Sequence, residues 1–291
     1  MRLARSVAGA VLLGALCIRG ALAAAPLDIR LEAAYTHDDN VNRAIAAERL
    51  SDDFFSFNLN KSFVIPVSEN ARFSLQAFLG AEEFRNHKGL SRYSLGVEGE
   101  LQYRPSAEFT APTFAVFGRT SVDRYDSNLR DGYRHSAGIS IRKPVTDRID
   151  FSGALAYNVR EGKSTVFDTK DYSVRVNADY SLTRTGTVYL GAEYRRGDTV
   201  SSARPALIFV DVAKAIVADD AFPGMGLFAY RLKARTVVTT IGYNWAFGEG
   251  HALDFSWRWI ESVGTAQPSF VTTDKVRYRD NQFTVAYLYR F

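Results

Sequence analysis

The chain has 291 residues, 46% hydrophobic and 23% charged, with a mean hydropathy of −0.15, too apolar for a disordered chain and long enough for one large domain or two ordinary ones. Its formal charge of +4 falls to +1 once Arg2, Arg5 and Arg19 are set aside, so no nucleic-acid partner is expected. Beyond the N-terminus no run reaches the roughly 18 apolar residues of a spanning helix, and 15 Tyr and 20 Phe against 2 Met favour pleated over helical surfaces.

Residues 1–25 have the layout of a secretory signal peptide. Arg2 and Arg5 supply a positive start, Ser6 to Ile18 a short apolar stretch, and Ala21-Leu22-Ala23 or Ala23-Ala24-Ala25 a small-x-small cleavage site. Val7 to Cys17 lacks the polar stripe of a buried amphipathic helix. Leu16 stands directly before Cys17, where lipidation would need a small residue. Cys17 is the only cysteine, so cleavage leaves residues 26–291 as one domain without disulfide or thiolate chemistry.

From Leu27 to Phe291 apolar and polar residues alternate in runs of about ten, as strands with one wet and one apolar face would. Strand centres are expected, in chain order, at Leu31, Leu59, Leu75, Val97, Val116, Ile139, Leu155, Val176, Leu190, Ile241, Phe255 and Val285. Phe73, Leu75, Ala77 and Leu79 oppose Ser74, Gln76 and Glu82; Tyr172, Val174 and Val176 oppose Ser173, Arg175 and Asn177. A soluble β-sandwich alternates too. Here, however, aromatics bracket the apolar faces, as a bilayer interface favours, and the opposite faces carry Glu, Arg and Asp. Short connections (66–70, 144–148, 185–186, 248–250) also alternate with long ones (Asp38 to Asp52, Asp198 to Phe228), the asymmetry of a barrel that crosses a membrane.

At the C-terminus Phe283, Val285, Tyr287, Tyr289 and Phe291 occupy alternate positions and end on a terminal phenylalanine. In this strand, and in the pattern of the whole mature chain, the sequence resembles the bacterial outer-membrane β-barrel family, porin-like but without one characterised subfamily. The resemblance implies an all-β, antiparallel up-and-down transmembrane barrel in the outer membrane of a Gram-negative bacterium. It also implies contact with outer-membrane lipid and lipopolysaccharide, and a last strand that barrel assembly machinery takes as an insertion signal. Twelve strands put both termini in the periplasm; ten and fourteen are the neighbouring even counts. Outward parity shifts between Leu232 and Val237, so a bulge or a strand rising above the membrane is expected there. Within 198–228, Leu207 to Val210 and Phe222 to Gly226 are too apolar for a freely solvated loop. Val212 to Ala218 is expected as a short helix, in a segment that folds into the barrel mouth, rests on lipopolysaccharide or meets a partner.

Candidate sites are few. Asp38-Asp39-Asn40-Val41-Asn42-Arg43-Ala44 is similar to a stretch in the first hairpin of the barrels of surface lipoprotein assembly modifiers. That family carries a helical-repeat domain before its barrel, whereas strand one here begins almost at the cleavage site. His37 to Asn40 holds the groups for a cation or an Asp-His pair, but at a strand-to-loop boundary solvated turn residues are expected. Arg134-His135-Ser136 superficially resembles the His and Ser of outer-membrane phospholipases and lipid A deacylases. Adjacent strand residues point to opposite sides, however, and a nucleophile and its base must lie within about 3 Å. His87 and His251 lack an acid or serine at a diagnostic spacing, and no phosphate loop is present. No catalytic residue, metal ligand or cofactor is expected, and an enzyme is not.

Inward parity places Glu82, Glu98 and Glu100 on strands three and four, and Arg119, Arg134, Arg142, Arg160 and Arg175 on strands five to eight. Opposed acidic and basic walls would set a transverse field that orients small polar solutes; alternatively the charges pair and plug the lumen. The leading expectation is a narrow passive channel for small polar or anionic solutes. The alternative is a non-conducting structural or surface-interaction barrel, with a lipid-modifying enzyme behind both.

Overall fold

The computed structural model describes residues 28–270 and 275–291; the expected signal peptide lies outside them. Twelve antiparallel strands form the wall: β1 (Asp28–Asp38), β2 (Asp52–Ser68), β3 (Ala71–Phe84), β4 (Arg92–Tyr103), β5 (Thr113–Tyr125), β6 (Gly132–Pro144), β7 (Ile149–Gly162), β8 (Thr169–Ser181), β9 (Gly186–Ala203), β11 (Phe228–Gly248), β12 (His251–Gly264) and β13 (Arg277–Arg290), while β10 (Ala215–Ala218) is a short strand within a loop. Each wall strand pairs with the next, and β11 with β9 and β13 with β1 complete the ring. A closed ring has no free edge, which is what hydrocarbon demands of a spanning sheet. All twelve expected strand centres fall inside these elements.

One period-two pattern runs round the ring. Phe55 and Tyr172, 65% and 68% exposed, point outward with Tyr93, Val116 and Ile139, and so apolar a perimeter is a lipid-facing surface rather than a wet one. Aromatic contacts gather at both ends of it. Tyr35 meets Phe55 at 5.2 Å and Tyr157 meets Tyr172 at 4.8 Å at one end; Trp245 meets Phe247 at 5.5 Å and Tyr289 meets Phe291 at 4.4 Å at the other. These are the two girdles of an outer-membrane barrel.

The termini share an end with the tight turns at 69–70, 145–148, 182–185 and 249–250 and with the connection 104–112. The opposite end carries 39–51, 204–227 and 265–276 together with three shorter links.

About 9–11 tilted residues cross a bilayer, so β9 with 18 and β11 with 21 overshoot it at the loop end. They pair without interruption from Phe228 against Ala203 to Trp245 against Gly186. No bulge therefore separates Leu232 from Val237: Tyr230, Leu232 and Ala234 keep one inward parity and are buried, and Val237 faces out. The inward side turns apolar there because a loop packs on it above the membrane. The register shift lies instead at Ala246 to Gly248, beside the β11–β12 turn.

The long connection is also shorter than expected, since β9 continues to Ala203. Its helical turn is Leu207–Val210, and Ala215–Ala218 is extended, pairing with Phe228 to Arg231. The expected helix at Val212 to Ala218 is thus corrected. The β12 partner of β11 begins only at Ala234, and β10 covers the edge that this leaves open.

Candidate lumen and its covered mouth

The inward positions enclose a cavity of about 1420 Å³ that extends from Arg104, Pro144 and Asp150 at the turn end to Asn42, Leu90 and Tyr125 at the loop end. Glu82, Glu98, Glu100, Arg119, Arg134, Arg142, Arg160 and Arg175 all face it. They do not form two opposed walls. Neighbouring strands hold facing side chains about 5 Å apart, and charges on adjacent strands pair before any field can build across the lumen. Arg92 Nε donates to Glu82 at 2.7 Å, Arg134 Nη2 to Asp123 at 2.9 Å and Arg142 Nε to Asp150 at 2.8 Å. Arg119 lies 3.5 Å from Glu98, and Arg175 3.5 Å from Glu193. Glu100 accepts from Gln102 at 2.8 Å, and Arg160 donates to the Arg130 carbonyl at 3.0 Å beneath the Tyr125 ring.

Further cations line the same space, among them Arg195, Arg258 and Arg43. The first two share the inward parity of β9 and β12, so the alternation already contained them. Arg43 comes from the 39–51 loop, where no period says which way a side chain points.

That loop is not a solvated turn, contrary to expectation. Asn40 is fully buried. Its backbone N–H donates to Asp38 Oδ1 at 2.8 Å, its amide donates to the carbonyls of Ala44 and Arg279 at 2.9 and 2.8 Å, and its Oδ1 accepts from Ala44 N–H at 2.9 Å. Asn42, also buried, bonds the Glu48 and Ser202 carbonyls and the Leu50 N–H. A loop that folds inward takes its backbone out of water, and these two amides satisfy it.

The 204–227 loop completes the cover. Phe209 is buried and stacks on Tyr230 at 5.0 Å, while Ala221 and Phe222 are buried against Phe84, Leu90 and Leu227. β3 and β4 stand across the ring from β9 and β11, so the loop spans the whole mouth. Asp219, its side chain wholly buried, pairs with Arg130 and accepts from Ser202 Oγ; Asp220 accepts from Ser127 Oγ.

Among the described residues no histidine is hydrogen-bonded to a serine. His135 Nδ1 lies 2.9 Å from Thr120 Oγ1 on the outer face, while Ser136 Oγ donates to Asn158 inside. His37, His87 and His251 meet Asp53, Asp52 and Tyr287 at 2.7, 2.9 and 2.7 Å; the acid beside His87 comes from another loop end and shows in no local spacing. Asp38, Asp39 and Asp280 bring carboxylate oxygens within 4.8 Å of one another. Asp38 already accepts from Asn40 and Gln282, and Asp39 from the backbone and amide of Asn281.

No protein-family model matches the chain, and no curated protein matches it. Among solved structures it is similar to an outer membrane channel from Pseudomonas putida F1, with a TM-score of 0.56 at 11% identity over 92% of this chain and 97% of that one. It is also similar to the NanC porin (TM-score 0.47, 7% identity, 90% and 100% covered) and the KdgM porin (0.39, 14%, 89% and 99%). The first of these shows a shared fold, that of an outer-membrane β-barrel.

Proposed function

We propose that the protein is a narrow passive channel of the outer membrane for small polar or anionic solutes, with both termini in the periplasm and no catalytic chemistry. The observation that carries this reading is the cavity that runs from one end of the barrel to the covered mouth, lined by polar and charged side chains from strand after strand. The fold shared with a protein described as an outer membrane channel supports it. Separation of His135 and Ser136 onto opposite faces of β6 speaks against a hydrolase.

Planar bilayers test it. Purified protein is expected to show discrete conductance. Replacing Arg134, Arg142 and Arg175 by Gln removes three lumen cations and takes from Asp123 and Asp150 the arginines that bond them, so anion preference should fall. The covered mouth favours a second reading, a non-conducting barrel that acts through its surface. Electrical silence both with residues 204–227 present and with them deleted would reject the channel in its favour. For the termini, a C-terminal tag should stay hidden on intact cells while a tag within 265–276 is reached.

A further inference from the structure

Closure of the ring brings together acids that no local spacing in the sequence announces. Asp38 ends β1, Asp39 opens the 39–51 loop and Asp280 comes from β13, near the other end of the chain; their carboxylate oxygens lie within 4.8 Å of one another. Asp280 is fully buried and Asp38 nearly so. Arg43 acts on both as an opposite charge. Neither, however, forms an ion pair with it or with any other lysine or arginine among the described residues. Carboxylates packed so closely and taken out of water repel one another unless positive charge is set between them.

Their hydrogen bonds leave acceptor capacity over. Asp38 accepts from the Asn40 N–H at Oδ1 and from the Gln282 amide at Oδ2, and Asp39 from the N–H of Asn281 at Oδ1 and its amide at Oδ2, all at 2.8 Å. A carboxylate offers about four lone-pair sites, so each of these keeps about half of them. Asp280 keeps more. Its Oδ2 takes a single bond of 3.3 Å from the Gln282 amide, and its Oδ1 is shut off from water with no hydrogen-bond partner. A buried oxygen left in that state is costly, and what surrounds it here is acids rather than donors.

A hard cation answers both the repulsion and the orphaned oxygen. Calcium takes about six to eight oxygens at about 2.3–2.6 Å, so its opposite ligands stand about 5 Å apart and these three carboxylates can share one ion, with water completing the shell. Magnesium asks for a near-ideal octahedron with bonds of about 2.0–2.1 Å, and side chains already pinned by Asn40, Asn281 and Gln282 have little freedom to close to it. Asp38 lines the lumen and Asp39 is only half-buried, which gives an ion a way in.

We infer that Asp38, Asp39 and Asp280 bind a calcium ion that ties the first wall strand to the last and anchors the root of the 39–51 loop. The site stands or falls independently of whether the barrel conducts.

The test is calorimetric titration of the barrel with calcium chloride and, separately, with magnesium chloride. The protein is refolded in a neutral detergent free of lipopolysaccharide, whose phosphates would bind calcium themselves, and is stripped with a chelator beforehand. One calcium per barrel is expected, with magnesium at least about tenfold weaker, and calcium should slow hydrogen exchange in residues 39–51. Asp280→Asn should weaken calcium binding at least about tenfold. Removing one of three crowded charges relieves repulsion, so this variant should fold, and heat-modifiable gel mobility checks that it does; Asp39→Asn, at the most accessible of the three, is the second variant. Glu83→Gln, which alters an exposed acid of the same rim paired with Lys88, should bind calcium as the parent does. If the folded parent binds no calcium, if the folded Asp280 and Asp39 variants bind it unchanged, or if Glu83→Gln loses as much as Asp280→Asn, the site is overturned. Equal affinity for magnesium would overturn the choice of ion.

Discussion

The backbone of Gly89 lies against that of Ala221, so closely that a Cβ on Gly89 would overlap the Ala221 Cα and carbonyl. Gly89 belongs to the β3–β4 link and Ala221 to the loop that crosses from β9 to β11, so this is where the cover of the mouth lands on the far rim. Glycine is needed here for approach, not for φ. Gly89→Val should lift residues 204–227, raise single-channel conductance and speed proteolytic cleavage within that loop. Unchanged current and cleavage would show that the loop is seated by other contacts alone.

The cover is also latched by charge. Arg130 and Asp219 form an ion pair whose side chains are 11% and 0% exposed, and removing one partner of such a pair typically costs about 3–5 kcal/mol. The strands are held by their ladders, so that cost should fall on the loops. Asp219→Asn is expected to speed hydrogen exchange in 204–227 and 126–131 while the barrel's melting temperature stays put. Arg124→Gln, which removes an exposed pair 3.7 Å from Asp131, should do almost nothing. Equal effects of the two would contradict the latch.

The wall was legible because a period of two is dictated by the pleat: once Leu75 faces lipid, Ser74 and Gln76 must face the lumen. Arg134, Arg142 and Arg175 could thus be placed inside from alternation alone. Their partners were harder to see, since Asp123, Asp150 and Glu193 pair with them through strand register that no single strand reveals. The mouth was legible only in part: the apolar Leu207 to Val210 and Phe222 to Gly226 pointed to a segment that could fold into it, but nothing marked the 39–51 loop as doing the same. Asn40 and Asn42 look like ordinary turn residues, and only the inward fold of their loop makes them buried scaffolding. Leu232 was misleading for a related reason: an apolar residue pointing inward breaks the expected pattern until a loop is known to cover it.

Asp52 should make the rim sensitive to acid. Its carboxylate lies beyond the girdle residue Phe55 and accepts from the backbone N–H of Asn86 and His87, the Asn86 amide and His87 Nδ1, at 2.8 to 3.1 Å. Burial pushes this carboxyl up, but donors from His87, Asp53 and Asn86 outweigh it and hold the group below its ordinary value of 3.8. A depressed pKa means that the stabilisation is fully present above the unfolded-state value and is lost as pH falls through the folded one. Residues 85–91 should therefore keep their hydrogen-exchange protection at neutral pH and lose it only below pH about 4. Asp52→Asn should show that loss at neutral pH; full protection in this variant would mean that the carboxylate does not hold the link.

The last strand should govern how much protein is inserted rather than what it conducts. On β13, Phe283 and Val285 face outward and, like Phe291 just past its end, are well exposed, whereas the lumen is lined from the other face, by Tyr278 and Gln282. Phe291 also donates its backbone N–H to the Ile29 carbonyl at 3.0 Å, stitching the C-terminus to β1 at the closure of the ring. Outward aromatics at that seam can be recognised by assembly machinery or anchor the girdle, yet neither role reaches the solute path. Deleting Phe291, or replacing Tyr289 and Phe291 by Ser, should lower the amount of heat-modifiable barrel in outer-membrane fractions several-fold. The molecules that do insert should keep the parental conductance. An unchanged inserted amount would overturn the reading of this strand as an insertion signal, and an altered conductance would tie the seam to the lumen after all.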